Sequence, residues 1–312
     1  MASLTLANHR TDLASMTGLS ATETAQKALI DRAVNEAIKE IHAKADWPWT
    51  LDRQVVQTVI DKDDGTVDLA SGGTAVSGTD TAFTSADVGK FMQFEDSTDW
   101  YRITAVTDSE NLTIEKPFAG TAALDDATYI IRQFYYSLDS TAEKILSITE
   151  ADSPRKVMAV DFRDFDRKRP FGDATGNAYL YALFGRDSSD NLRFLVYPYA
   201  DAVYNLEVKY KKKPATLSDD ADVPDSPERY DNVIYYHALK RLLFKSSLKQ
   251  DGSRDMSAVI AAKAEAKELL AQMLQEAVGD QDDETVVIDS IESPMTPGPG
   301  IRLPEQFDRR GR

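Results

Sequence analysis

Between residues 61 and 133 the chain shows no helical period. Short β-rich runs follow one another instead: "DDGTVDL", "KFMQF", "WYRITAV", "NLTIEK" and "YIIRQ", separated by Gly, Asp, Ser and Asn. Apolar segments of strand length, spaced by turn residues, predict a small all-β module, barrel- or sandwich-like. The flanking sequence has a different texture, so residues 61–133 are expected as an insertion in a body made of residues 1–60 and 134–279.

That body begins with helical signals. Residues 3–17 predict a short helix stopped by Gly18. Ser20 and Glu23 stand three apart, as a capping box requires. Behind them Ile30, Val34, Ala37, Ile38 and Ile41 share one face, so a long amphipathic helix is expected over 21–45. Pro48, in "WPW", prevents its continuation. Residues 51–60 look extended. After the module, "RKVMAV", "NAYLYALF", "LRFLVYPY" and "AVYNLEVKYKKK" read as strands. In the last of these Tyr204, Leu206, Val208 and Tyr210 alternate with Asn205, Glu207, Lys209 and Lys211, one set facing inward and the other outward. A helix follows from "DSPERYDNVIYYHALKRLLFKSSLK", with Asp225 and Glu228 as its capping box and Pro227 in its first turn. Residues 254–278 predict another, rich in Ala and Leu. Residues 280–312, with an acidic start, four prolines and an arginine-rich end, read as an extended C-terminal tail. The fold class expected is α+β: a helical body with a small antiparallel sheet, the inserted all-β module, and that tail.

Composition removes several function classes. With no cysteine among 312 residues, disulfides, thiol catalysis and cysteine-ligated zinc are excluded. The formal charge is −16, from 36 basic and 52 acidic residues, which disfavours non-specific adhesion to nucleic acid or anionic lipid. No run approaches a membrane span. The N-terminus lacks a basic start followed by an apolar run, so no signal peptide is expected.

Motifs for catalysis are equally scarce. "TAVSGTDTAFTSADVGKF", residues 74–91, has the Gly, Ser and Thr of a phosphate loop. Yet Thr79 stands where the lysine should follow Gly78, Lys90 precedes Phe91, and a strand pattern follows where a helix is needed. Asp63-Asp64, Asp125-Asp126, Asp219-Asp220 and Asp282-Asp283 read as solvated turns rather than paired catalytic acids. "DKDDG" at 61–65 misplaces the glycine of a calcium loop. His9, His42 and His237 have no ligand spacing and fall in predicted helices. "GDATG" at 172–176 has Ala174 in the nucleophile place. "KYKKKP" at 209–214 reads as a lysine-blunted strand edge. The aromatics of "WPW" and "YPYADAVY" are expected in a core or a subunit contact. No catalytic, cofactor-binding or metal residue is assigned, and no enzyme activity is expected.

The order of elements resembles tailed-bacteriophage head-to-tail adaptor (connector) proteins. A short helix, a long helix closing in "DWPWTLDRQ", the strand with Tyr210 and Pro214, a turn with Asp222, Pro224 and Pro227, and a following helix carry this resemblance. A second likeness, to β-modules of phage structural proteins, lies in Phe83, Thr84, Asp87, Val88, Gly89 and Lys90, with Tyr101, Ile103 and Val106. The resemblance implies a virion protein of the neck, assembled in the host cytoplasm. It implies a homo-oligomeric ring, a dodecamer, docked on a portal protein above a tail or nozzle protein. Genomic DNA would pass through without specific binding, and no membrane or cofactor is implied. Trp47, Trp49, Ile301, Leu303, Phe307, Arg309 and Arg310 are the candidate partner-interface residues. The alternative is a tail-associated protein binding a glycan or receptor through Trp100, Tyr101 or Phe118 of the module.

Overall fold

The computed structural model describes residues 3–289 apart from 96, 154, 166, 168–173 and 247–255. In chain order it begins with α1 (Leu6–Thr17) and α2 (Thr24–His42), then β1 (Leu51–Gln57), β2 (Thr66–Leu69), β3 (Ala75–Thr79), β4 (Phe91–Phe94), β5 (Tyr101–Val106) and β6 (Asn111–Ile114). There follow β7 (Leu124–Ala127), β8 (Tyr129–Arg132), β9 (Tyr135–Ser137), β10 (Ala142–Glu150), β11 (Lys156–Ala159) and a single turn, α3 (Phe162–Phe165). The remainder is β12 (Leu180–Arg186), β13 (Leu192–Tyr197), β14 (Asn205–Lys212), α4 (Asp231–Ser246) and α5 (Ser257–Asp289). These elements fall into two compact units, residues 1–49 with 215–312, and residues 50–214.

The first unit is helical. Gly18 ends α1 in a left-handed conformation (φ 71°), returning its N–H to Ala14 O. At the start of α2 the expected capping pair is shifted by one reciprocal bond. Ser20 Oγ accepts from Glu23 N, but the Glu23 carboxylate turns forward to accept from Ala25 N and Gln26 N, so Glu23 is itself the cap. Ile30, Val34, Ala37 and Ile41 of α2 are buried with Leu6 and Leu13 of α1, Val233, Ile234 and Leu242 of α4, and Met273 of α5. A 3₁₀ turn, Glu228–Tyr230, precedes α4. The expected capping box there does not start the helix, which begins at Asp231. The last helix continues to Asp289, into sequence expected to be extended.

The second unit contains two seven-stranded sheets. One has the order β1-β14-β10-β11-β12-β13-β9, antiparallel except for the parallel β11–β12 pair. Its ends curl toward each other. Gln54 of β1 accepts from Asp139 N just beyond β9, and Tyr136 Oη of β9 accepts from Val59 N. The other sheet takes all its strands from Thr66–Arg132, in the order β7-β2-β3-β6-β5-β4-β8. Its two outer strands, β7 and β8, are joined through Thr128 alone.

The chain is therefore mostly β, built on two large curled sheets with a few helices. The expected helical body with a small antiparallel sheet is overturned. Residues 134–214 instead build a large sheet together with β1. The reason lies in β14, which pairs on both edges: with β1 (Leu51↔Lys211) and with β10 (Ile145↔Tyr210). Both partners are distant in sequence, so strand-like runs that look isolated along the chain become one surface.

Candidate functional site

The tryptophans proposed for partner contact lie in the helical unit. Trp47 is 1% exposed. Its indole Nε1 donates to Ile41 O at 2.9 Å, satisfying a carbonyl at the end of α2. Trp49 stacks on it at 5.2 Å and 13°, and in turn packs on Tyr230 at 5.2 Å. Tyr230 Oη donates to Glu276 at 2.9 Å, which ties the stack to α5. Trp47 is thus buried within its own unit, while Trp49 keeps a partly exposed edge. Ile301, Leu303, Phe307, Arg309 and Arg310 lie outside the described residues.

A charge network joins α2 to α4. Lys240 Nζ donates to Glu40 Oε1 at 2.9 Å, and Arg241 contacts both Glu36 and Glu40 at 2.8 Å. Burial pushes the Glu40 carboxyl up, but Lys240, Arg241 and His237 outweigh it and hold its pKa at about 2. His237 is buried, with Nδ1 2.9 Å from Lys240 Nζ and Nε2 3.3 Å from Ala266 O. Its pKa is lowered by burial and by Lys240. Beside this network runs a groove of about 330 Å³ lined by Leu29, Ala33, Leu242, Phe244 and Val259. Exposed Phe244 and Ile260 add apolar surface on α4 and α5. A second cluster ties α1 to α2 and to the segment after residue 215. Arg10 grips Asp31 through Nε (2.8 Å) and Nη2 (3.2 Å) and reaches Asp220 through Nη1 (3.0 Å). Asp220, expected as a solvated turn acid, also pairs with Lys27.

In the second unit the Phe83–Lys90 motif is a folded turn. Thr84 caps the 3₁₀ turn Ser85–Asp87, with Asp87 Oδ2 accepting from Thr84 N at 2.9 Å. Lys90 (2.8 Å) and Lys62 (3.0 Å) both donate to the Asp87 carboxylate. Burial would raise the Asp87 pKa; Lys90, Thr84 N–H and Lys62 together lower it to about 2. Phe83 lies in the core of this sheet. Gly89 takes φ 89°, a conformation that favours glycine, and its N–H donates to Ile103 O. The strand β4 follows directly, so the Gly-Lys pair sits in a turn rather than at a helix N-terminus. Of the aromatics weighed for glycan binding, Tyr101 and Phe118 are buried in the core. Trp100 packs edge-on against Phe134 at 4.9 Å and under the Arg132 guanidinium at 5.2 Å.

Among the described residues no group of three or more His, Asp or Glu is placed to hold a metal. The structure instead offers exposed apolar helix surface and tightly paired charge. The model of the SU10 adaptor protein family matches residues 5–296. The chain belongs to this phage adaptor family.

Membership makes it a structural component of a phage particle that works against other head or tail proteins. The matched stretch runs from α1 past the end of α5, and takes in residues 66–132. No curated protein matched the chain. Sequence reasoning missed the α2–α4 network. Its signal was present in Glu36 and Glu40, one turn apart on α2, facing the Lys240-Arg241 pair on α4. It also missed Asp87 as the hub of its turn, since the partner Lys62 lies far back in the sequence.

Proposed function

We propose that this protein is a non-enzymatic head-to-tail adaptor whose copies form a ring between portal and tail and line the DNA exit channel. The observation that carries this reading is the family match over residues 5–296. Three features support it. The net charge of −16 suits a conduit through which DNA slides without sticking. Exposed Phe244 and Ile260 give the helical unit apolar surface for neighbouring copies. Val286, Val287 and Ile288, with Ile301, Leu303 and Phe307 beyond them, supply anchors for a partner's groove. In this reading residues 61–133 are an inserted module projecting from the ring, and the segment from about 280 meets the portal or the next copy. A dodecamer matches the adaptors that the chain resembles. Negative-stain images of the chain mixed with its phage's portal protein should show rings seated on the portal. Free monomers beside bare portals would contradict the reading.

A further inference from the structure

A cleft of roughly 470 Å³ opens in the second unit where β4, β5 and β9 approach β12 and β13. Its walls include Phe91, Phe134, Tyr135 and Phe184, and its cations are Lys90, Arg102 and Arg193. Lys90 is committed to Asp87. Arg193 is attracted to Asp187 at the cleft without forming a salt bridge to it, and Arg102 forms none among the described residues. Arg193 lies over the rings of Tyr135 (5.4 Å) and Phe184 (5.2 Å), which themselves stack at 4.5 Å. Its Nε is buried without a hydrogen-bond partner among the described residues. Arg102 projects from β5, exposed, and neither guanidinium pairs with a carboxylate among the described residues. The one acid lining the cleft, Asp187, is engaged by its own loop: it accepts from Ser189 N (2.8 Å), Asn191 N (2.9 Å) and Asn191 Nδ2 (3.0 Å), with Ser137 Oγ at 3.5 Å, and it attracts Arg193 without a salt bridge.

We infer that this cleft is a docking site for an acidic peptide segment of a partner virion protein, with Arg102 and Arg193 taking its carboxylates and the aromatic walls taking an adjacent apolar side chain. A guanidinium fixed on aromatic faces, with donors left open, is pre-organised for a planar oxyanion. Leaving a buried Nε–H unpaired is costly unless a ligand satisfies it. A neutral sugar is the weaker occupant, since it carries no charge to match the two guanidinium groups, whose hydrogen bonds to a carboxylate are the stronger. Nucleic acid is disfavoured too. Two open cations in a chain of net charge −16 make a weak phosphate footprint. In so acidic a protein, the cleft is a local positive site at which an acidic partner escapes the general repulsion.

The test is fluorescence polarisation of the full chain with a labelled hexapeptide, Asp-Phe-Glu-Asp-Phe-Glu, against its amide counterpart, Asn-Phe-Gln-Asn-Phe-Gln, and a labelled oligothymidylate. The acidic peptide should bind about tenfold more tightly than the amide peptide, as expected for two charge-assisted contacts. Arg193→Gln and Arg102→Gln should each weaken it about tenfold. Arg53→Gln, at an exposed position on β1, should leave it unchanged. Because Arg102 is exposed, R102Q keeps the fold, and equal melting temperatures verify this for both variants. Equal binding of the two peptides, no binding of either, tighter binding of the oligothymidylate, or an R53Q loss matching that of R102Q would each overturn the proposal.

Discussion

Asp87 draws a capping amide and two lysines onto one carboxylate, although it is nearly buried. Its folded-state pKa of about 2 lies below the ordinary 3.8. The stabilisation is therefore complete above about pH 4 and is lost as the pH falls through 2. Asp87→Asn should cost about 2 kcal/mol near neutral pH and flatten the acid limb of a urea-midpoint titration. A variant whose midpoint tracks the parent's at every pH would remove Asp87 from that role. His9 is the opposite case. Both ring nitrogens are buried without a hydrogen-bond partner among the described residues, and burial lowers its pKa from 6.5 against the pull of Asp12. The unfolded chain takes up the proton first, so this group's contribution is present above pH 6.5 and is lost as the pH falls below it. His9→Leu should then be stabilising by about 1 kcal/mol more at pH 5.5 than at pH 8, because leucine gives the unfolded chain no proton to take up. Urea midpoints at the two pH values measure this. An effect no more favourable at pH 5.5 than at pH 8 would mean that the imidazole has a partner in solution.

At the scale of elements, α2 and α4 are held by apolar packing and by the Glu36, Glu40, Lys240 and Arg241 network. Glu40 is partly exposed, which discounts its pairing energy. Glu40→Gln should cost about 1–2 kcal/mol at neutral pH, with the difference vanishing as the pH falls from 4.5 toward 2. Tryptophan emission from the Trp47–Trp49 stack can follow this transition. Helices α1 and α2 were legible in the sequence because their signals are local: a glycine stop, a cap and a 3.6-residue period. Strand β14 was legible from the alternation of Leu206 through Tyr210, but Lys211, expected on the outward face, is buried. Strand β10 was not. Register shifts between Ala142 and Lys144 and between Ile145 and Ser147 break its alternation. The size of the sheet was hidden with it, because β10 is the strand that connects β14 to β11. The extension of α5 to Asp289 was hidden by the acidic run from Asp280, which reads as solvated chain. In the candidate site, the Phe83–Lys90 motif was visible as a module marker. The Arg102–Arg193 cleft was not, because its two cations come from strands of different sheets.

For the whole molecule, sequence and family agree on a structural role, and charge gives that role its physics. A ring of twelve copies at −16 each would carry about −190 of formal charge, strongly screened at physiological salt. In the proposed ring, such a wall would repel DNA at short range and leave it free to slide. The same charge would oppose assembly of the proposed ring, whose copies would then need apolar contacts and paired charges at their interfaces, with higher salt easing the repulsion. The decisive measurement is the native mass of the chain mixed with its phage's portal protein at near-physiological ionic strength. A species containing one portal ring and twelve copies of this chain is expected. A spectrum holding only intact portal and free 34.6 kDa chains would contradict the ring adaptor.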